Sequence, residues 1–301
     1  MRAAILKSAA LTGTILVIIY TALISSADGI VKLLAGAYSA PQLYVVSGII
    51  VVALSIGADR MKNQRQGMRT MCPRAMALRS VMTVISATAY FYAFRLLPFA
   101  EVFVFIGLVP ILAGLMSGPI LGEHVRVSSW AALAAGFVGV LCLFPQGVAT
   151  ITTGHAIALL ASVSGTLSMV ISRYIGRFEK NSLAQVLYPN LALVLVMVVA
   201  LPFVYVPMPL GDYGWAAAYA FVLFGARWLL VIALRNLAAY AVTPLMNLQF
   251  VWMVIIGAVF FHEVPATHIY LGVTIVIASG MYLVWEQFAV TASKTQSLAA
   301  E

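Results

Sequence analysis

The chain has 301 residues, of which 63% are hydrophobic and 9% charged, with a net charge of +8. So few charges cannot clothe a water-soluble surface of that size, which excludes a soluble enzyme or binding domain. The basic residues fall in short gaps between apolar runs, so they mark orientation in a membrane rather than affinity for nucleic acid.

Taken in order, the apolar runs predict ten helices, at about 11–34, 41–58, 77–95, 101–121, 128–145, 154–173, 183–205, 214–234, 241–261 and 268–286. Each approaches the ~20 residues that cross a hydrocarbon core. Proline, glycine or charge punctuates the gaps, as at Pro41, Pro98, Glu123 to Arg126, Pro207 and Pro265. The first run, preceded by Arg2 and Lys7 and reaching Ser25-Ser26-Ala27, could be read as a cleavable leader. Its apolar pattern continues to Ala37, which favours a retained first helix. The expected class is an all-α membrane protein.

Fourteen of the 17 Lys and Arg residues, Arg79 among them, then fall on the N-terminal side of the membrane. Only Lys32 and Arg95 fall on the other, and Arg227 lies inside a run. This bias places both termini in the cytoplasm. The two cysteines, Cys72 and Cys142, give neither a disulfide framework nor metal spacing.

One stretch recurs. Arg95 to Glu123 is an arginine turn, a long apolar run and Leu-Gly-Glu; Arg235 to Glu263 repeats it with His-Glu at its end. One shift relates the two copies, since 235 − 95 equals 263 − 123, and Ala93/Ala233, Leu97/Leu237 and Val102/Val242 coincide under it. Duplication into two five-helix repeats, 13–146 and 153–287, follows. Five is odd, so the second repeat lies upside down relative to the first. Ten transmembrane helices in two inverted repeats are an architecture of secondary transporters, with a substrate site near the midplane.

The elements Phe91-Tyr92-Ala93-Phe94-Arg95-Leu96-Leu97-Pro98 through Glu123, and Ala233-Leu234-Arg235 through His262-Glu263-Val264-Pro265, resemble the paired EamA repeats of the drug/metabolite transporter superfamily. The resemblance implies alternating access to a central cavity in the bacterial inner membrane. The chain departs from the pattern at His262, where the repeat usually has glycine, and at Ser47, near where an arginine is common. The stretch from Ser26 to Leu33, followed by Tyr38 to Leu43, looks most like the riboflavin-transporting branch. Exporters of amino-acid-derived or metal-chelating metabolites are the competing branch.

Ionisable groups within membrane runs are costly and default to functional candidates. Asp28 and Lys32 are four apart on one helix face, either a self-neutralising pair or a working site. In the second case Asp28 is the candidate proton carrier, since a low-dielectric setting favours a neutral carboxyl. Arg227, followed by Trp228, either snorkels or binds an anionic or carbonyl-bearing substrate. Glu101 either complements a helix dipole or gates with Arg95. Arg95, Glu123, Arg235 and Glu263 are read as structural. Gln185, Tyr188 and Asn190 cluster around Pro189, which should interrupt its helix and free a carbonyl at membrane depth, and Pro110 should do the same in the fourth run. Asn247 and Gln249 are about 200° apart on a helix, and Asn247, on the face of Phe250, is the preferred one. Tyr44, Tyr90 and Tyr92 are candidate rings for an aromatic cargo. Gly107, Gly114 and Gly118 mark a close helix contact, which could serve packing within the chain or a homodimer.

No phosphate-binding loop is present, and His262-Glu263 lacks the second histidine of a zinc protease, position 266 being Ala266. No nucleophile and base group together, so an enzyme is not expected, nor a metal or cofactor. The expected partners are a small-molecule substrate and the lipid bilayer, with no nucleic acid. A lipid scramblase or membrane scaffold is the alternative of another class.

Overall fold

The computed structural model describes residues 2–61, 69–97, 99–122, 152–179, 181–236 and 248–262, with isolated positions between 127 and 138 and between 246 and 282. Among the described residues the secondary structure is helical, without strands. The helices are α1 (Arg2–Ala35), α2 (Ala40–Met61), α3 (Pro73–Leu96), α4 (Phe99–Gly107), α5 (Val109–Leu121), α6 (Thr153–Ile175), α7 (Ser182–Val204), α8 (Leu210–Asn236) and α9 (Gln249–Phe260). Five stretches are long and apolar enough to cross a membrane: Thr12–Ala35, Ala40–Arg60, Thr153–Ile175, Ser182–Val204 and Leu210–Leu234. The chain is therefore a multi-pass membrane protein. The runs expected at 128–145 and 268–286 lie largely outside the described residues.

Local chemistry sets the helix ends. Pro73 opens α3, where its missing N–H costs nothing. Thr152 and His155 exchange capping contacts at the start of α6, Thr152 N donating to His155 Nδ1 at 2.9 Å. Asn181 Oδ1 accepts from Ala184 N at 3.2 Å at the start of α7. The fourth run breaks between α4 and α5 at Leu108, just ahead of Pro110, as its proline demands. Gly122 ends α5 in the left-handed region at φ 64°, and His262 follows α9 at φ 54°. The repeat shift carries the first of these positions onto the second.

Pro189 and Pro202 sit inside α7, yet the helix continues through both. The interruption expected at Pro189 does not occur. Its missing N–H instead frees the Gln185 carbonyl one turn earlier, and Arg79 Nη1 donates to that oxygen. An external donor thus replaces the lost helix bond, which is how membrane helices tolerate proline.

Three helix pairs make the most extensive contacts: α3 with α6, α1 with α8, and α2 with α7. All three are antiparallel. Along α3 and α6, Thr83 meets Ser168 (Oγ1···Oγ 2.7 Å), Ser86 donates to the Ala161 carbonyl (2.9 Å), and Tyr90 meets Ser162 (2.9 Å). Such hydroxyl contacts each contribute about 0.6 kcal/mol within a membrane. Gly165 permits the approach, because a Cβ there would lie 2.7 Å from Ser86 Oγ. In α2 and α7, Gln42 Nε2 donates to the Val206 carbonyl (2.6 Å), while lower down Gly48 admits Val194 and Val51 packs with Val186. In α1 and α8, Leu23 stands beside Gly225 and Val17 shares a cluster with Leu234. By contrast α4–α5 runs parallel to α6. Phe105 lies 6.0 Å from His155 at one end, and Arg177 Nη1 donates to the Leu121 carbonyl (2.6 Å) at the other. Gly118, expected at a close contact, has nothing among the described residues within 4 Å of a Cβ position.

Candidate functional site: a central polar cavity

The helices leave a cavity of about 230 Å³ between them. Charge enters it from three places: Asp28 on α1, Arg79 on α3 and Arg227 on α8. Four phenols line it as well, Tyr20, Tyr44, Tyr90 and Tyr219. Hydroxyls of Thr83, Ser86, Thr166, Ser168 and Ser172 and the amides of Gln185 and Gln249 add to its polar lining among the described residues.

The side chains are held from behind. Tyr44 OH donates to the Ala87 carbonyl at 2.9 Å, tying α2 to α3. Its ring lies 5.9 Å from Phe91 and 6.4 Å from Tyr219. Ser172 Oγ donates to Gln185 Oε1 at 2.6 Å. Asn190, fully buried, donates Nδ2 to the Val186 carbonyl (2.7 Å), and its Oδ1 accepts from Arg227 Nη1 (2.8 Å). Both arginines are thereby fastened to α7, one through a backbone carbonyl and one through an amide.

Of the residues singled out from sequence, Asp28, Tyr44, Tyr90, Gln185 and Arg227 line the cavity. Others do not. Lys32 turns away, its ammonium 4.7 Å from the centre of the Phe261 ring. Tyr92 packs edge-on against Phe91, 5.7 Å between ring centres. Tyr188 joins the cluster of Met76, Ile171 and Ile175. Trp228 leans on Phe224 at 5.8 Å, in the cluster around Val51. Phe250 is core, edge-on to Phe103 at 5.4 Å. Asn190 acts on the cavity only through Arg227. The preference for Asn247 over Gln249 is not supported: Gln249 lines the cavity, whereas Asn247 lies outside the described residues. Arg95 is exposed at the end of α3. Glu123 and Glu263 lie outside the described residues, as do the side chains of Glu101 and Arg235.

The sequence reading missed Tyr20, Arg79, Thr83, Ser86, Ser168, Ser172 and Tyr219. Arg79 was counted among the loop cations. Its spacing was the available signal, because Arg79, Thr83, Ser86 and Tyr90 fall on one face of α3 at intervals of four, three and four.

The repeat shift supplies a second signal. Asp28 and Ser168, Arg79 and Tyr219, Thr83 and Leu223, Ala87 and Arg227 all line the cavity as shift-related pairs. So do Tyr90 and Leu230, Phe94 and Leu234, Ile106 and Met246, and Val109 and Gln249.

Residues 11–144, in the first half of the chain, match the model of the EamA-like transporter family. A riboflavin transporter of Rhizobium johnstonii is 23% identical over 230 residues, which span 72% of each chain. A crystal structure of a protein 18% identical to this one superposes with a TM-score of 0.71, over 91% of this chain and 95% of that one. The fold is therefore one already seen in crystals. The family match implies a small-molecule substrate and a lipid environment, and points to transport rather than catalysis.

Proposed function

We propose that this protein is a secondary transporter of two inverted five-helix repeats, 13–146 and 153–287, which moves a small polar metabolite across the bacterial inner membrane by alternating access. The best reading of the cargo is riboflavin, taken up into the cytoplasm, with both termini on the cytoplasmic side.

The observation that carries this reading is the set of cavity-lining pairs, Asp28/Ser168 to Val109/Gln249, that the repeat shift relates. A cavity on the symmetry axis between two copies of one unit would be lined in that way. Helix packing supports it too. Exchanging each helix of the first repeat with its counterpart turns α1·α8 into α6·α3 and leaves α2·α7 unchanged, and these are the three principal pairs. It also turns α2·α8 into α7·α3, and α1·α9 into α6 against α4–α5, all of which pack.

Direction supports inversion. Helix α6 is antiparallel to α3 and parallel to α5, so the end of α5 and the start of α6 lie at opposite ends of the bundle. This arrangement supports the fifth helix that the sequence expects between Leu121 and Thr153.

Within this scheme Asp28 is the candidate proton carrier, Arg79 and Arg227 receive acceptor oxygens of the cargo, and the four tyrosines stack against or bond a flat ring. The riboflavin reading draws on the Rhizobium relative and on these tyrosines. The export of an amino-acid-derived or metal-chelating metabolite is the second reading, favoured by the two arginines against one aspartate in the cavity. Uptake of labelled riboflavin by a riboflavin-auxotrophic strain expressing the protein tests the first. Rescue that saturates with concentration is expected. No rescue, with membrane insertion verified, turns the assignment to the exporter.

A further inference from the structure

The charged groups of the cavity are separated in space. Asp28 lies on α1, and both arginines are fastened to α7. Helices α1 and α7 line one cavity but are not among the extensively packed pairs, so they form opposite walls. Depth separates the groups further. Leu23 faces Gly225 across the antiparallel α1–α8 pair, where a Cβ added at Gly225 would lie 3.9 Å from Leu23 Cδ1. Asp28 lies five positions beyond one, and Arg227 two positions beyond the other in the opposite sense. Seven steps of about 1.5 Å each set the two backbone positions roughly 10 Å apart in depth.

The two ends also differ in what they lack. Asp28 has no hydrogen-bond donor among the described residues. At the other end two buried donors, Arg79 Nε and Gln185 Nε2, have no acceptor among the described residues. Ser172 donates to the amide oxygen of Gln185, which leaves the nitrogen as the unmatched atom. Buried donors without partners are rare in a native structure.

We propose that Asp28 and the Arg79–Arg227 pair are opposite poles of the cavity, and that they fix the direction in which cargo lies. An edge of acceptor oxygens, carbonyl or carboxylate, sits at the arginine pole. A donor end, hydroxyl or ammonium, sits at Asp28, with the aromatic body between the tyrosines. Asp28 is then a specificity-determining residue that turns away any cargo with an anionic tail at the donor end. This inference rests on the transport reading but not on riboflavin being the cargo.

The test measures equilibrium binding to the purified full chain in lipid nanodiscs, wild type against Asp28→Asn and Arg79→Gln. The flavin probes are riboflavin, lumiflavin (no hydroxyl chain) and flavin mononucleotide (a phosphate on that chain). Tryptamine and indole-3-propionate place a cation or an anion on one ring system. Wild type should bind riboflavin at least tenfold better than the mononucleotide, and Asp28→Asn should shrink that ratio about tenfold. Arg79→Gln should weaken riboflavin and lumiflavin alike by about ten- to a hundredfold, the span of a charged hydrogen bond, and leave the mononucleotide ratio unchanged. Asp28→Asn should cost tryptamine its binding and spare indole-3-propionate, and Arg79→Gln should do the reverse.

If no flavin binds but the indole pair follows this pattern, the riboflavin reading fails and the polarity stands. Equal responses of the two indole probes, an unchanged mononucleotide ratio in Asp28→Asn, or no binding of any probe to folded wild type would overturn the proposal. Asp28→Glu and Arg79→Lys keep the charges and should keep the pattern, which separates polarity from misfolding.

Discussion

Pro189 and Arg79 are one device made of two residues. The proline removes a backbone donor, and the arginine supplies another to the Gln185 carbonyl. Arg79→Gln should therefore cost about 1–3 kcal/mol, the penalty for a buried unsatisfied acceptor. In a Pro189→Ala background, where the helix bond returns, the same substitution should cost less. Thermal unfolding in detergent measures both; equal costs in the two backgrounds would show that the carbonyl does not need Arg79.

This pair also shows what could and could not be read in the chain. The freed carbonyl was legible from Pro189, but its partner was not. The third helix was expected from position 77, and it starts at Pro73. The extra turn at its start sets Arg79 further inside the helix than the mouth position at which it was grouped with the loop cations. Hydropathy could not place it, because the apolar residues of α3 are spread around the helix and leave no one-sided stripe to mark that wall. His262 teaches the same lesson from the other side. Sequence marked it as an odd residue for its place, and the backbone explains why: φ 54° is a left-handed value that suits glycine. His262→Gly should raise the melting temperature, by the equivalent of roughly 1 kcal/mol of relieved strain. A lowered value would mean that the imidazole makes a compensating contact.

Among elements, the loop between α6 and α7 and the loop between α1 and α2 each reach across to another helix start. Glu179, between α6 and α7, accepts from Thr70 Oγ1 (2.9 Å) and Met71 N (2.7 Å) just before α3. At the opposite end Tyr38, between α1 and α2, donates to Asp212 at the start of α8. The repeat shift carries Tyr38–Asp212 onto Phe178–Cys72, so the same elements meet while the chemistry differs. The bond to Asp212 pushes the Tyr38 phenol up. A raised phenol leaves the contact intact below the ordinary tyrosine value of about 10 and loses it only as pH climbs further. Burial pushes the Cys72 thiol up as well, and the nearby Glu179 carboxylate adds to this. Glu179→Gln, with Cys142→Ser, should therefore speed maleimide labelling of Cys72 several-fold at neutral pH, because the thiolate is the reacting form. An unchanged rate would mean that Glu179 does not control this junction.

For the whole molecule, the repeat read from Arg95–Glu123 and Arg235–Glu263 points to a symmetry that the principal helix pairs follow. The cavity departs from that symmetry in its chemistry, with Asp28 opposite Ser168, Arg79 opposite Tyr219 and Arg227 opposite Ala87. Under the proposed transport reading, a duplicated frame would rock between two equivalent openings while holding a cargo that is itself unsymmetrical. A run of apolar residues specifies that a helix crosses, but not which of its faces turns inward, so the long apolar helices were legible and most of the lining was not.

The account stands on the inversion of its halves, and two exposed loop positions related by the repeat shift test it. Ala37→Cys and Arg177→Cys, each made with Cys72→Ser and Cys142→Ser, are labelled in intact cells with a membrane-impermeant thiol reagent. The account predicts that the cysteine at 37 reacts from outside and the one at 177 only after the cells are opened. Labelling of both from the same side would contradict it.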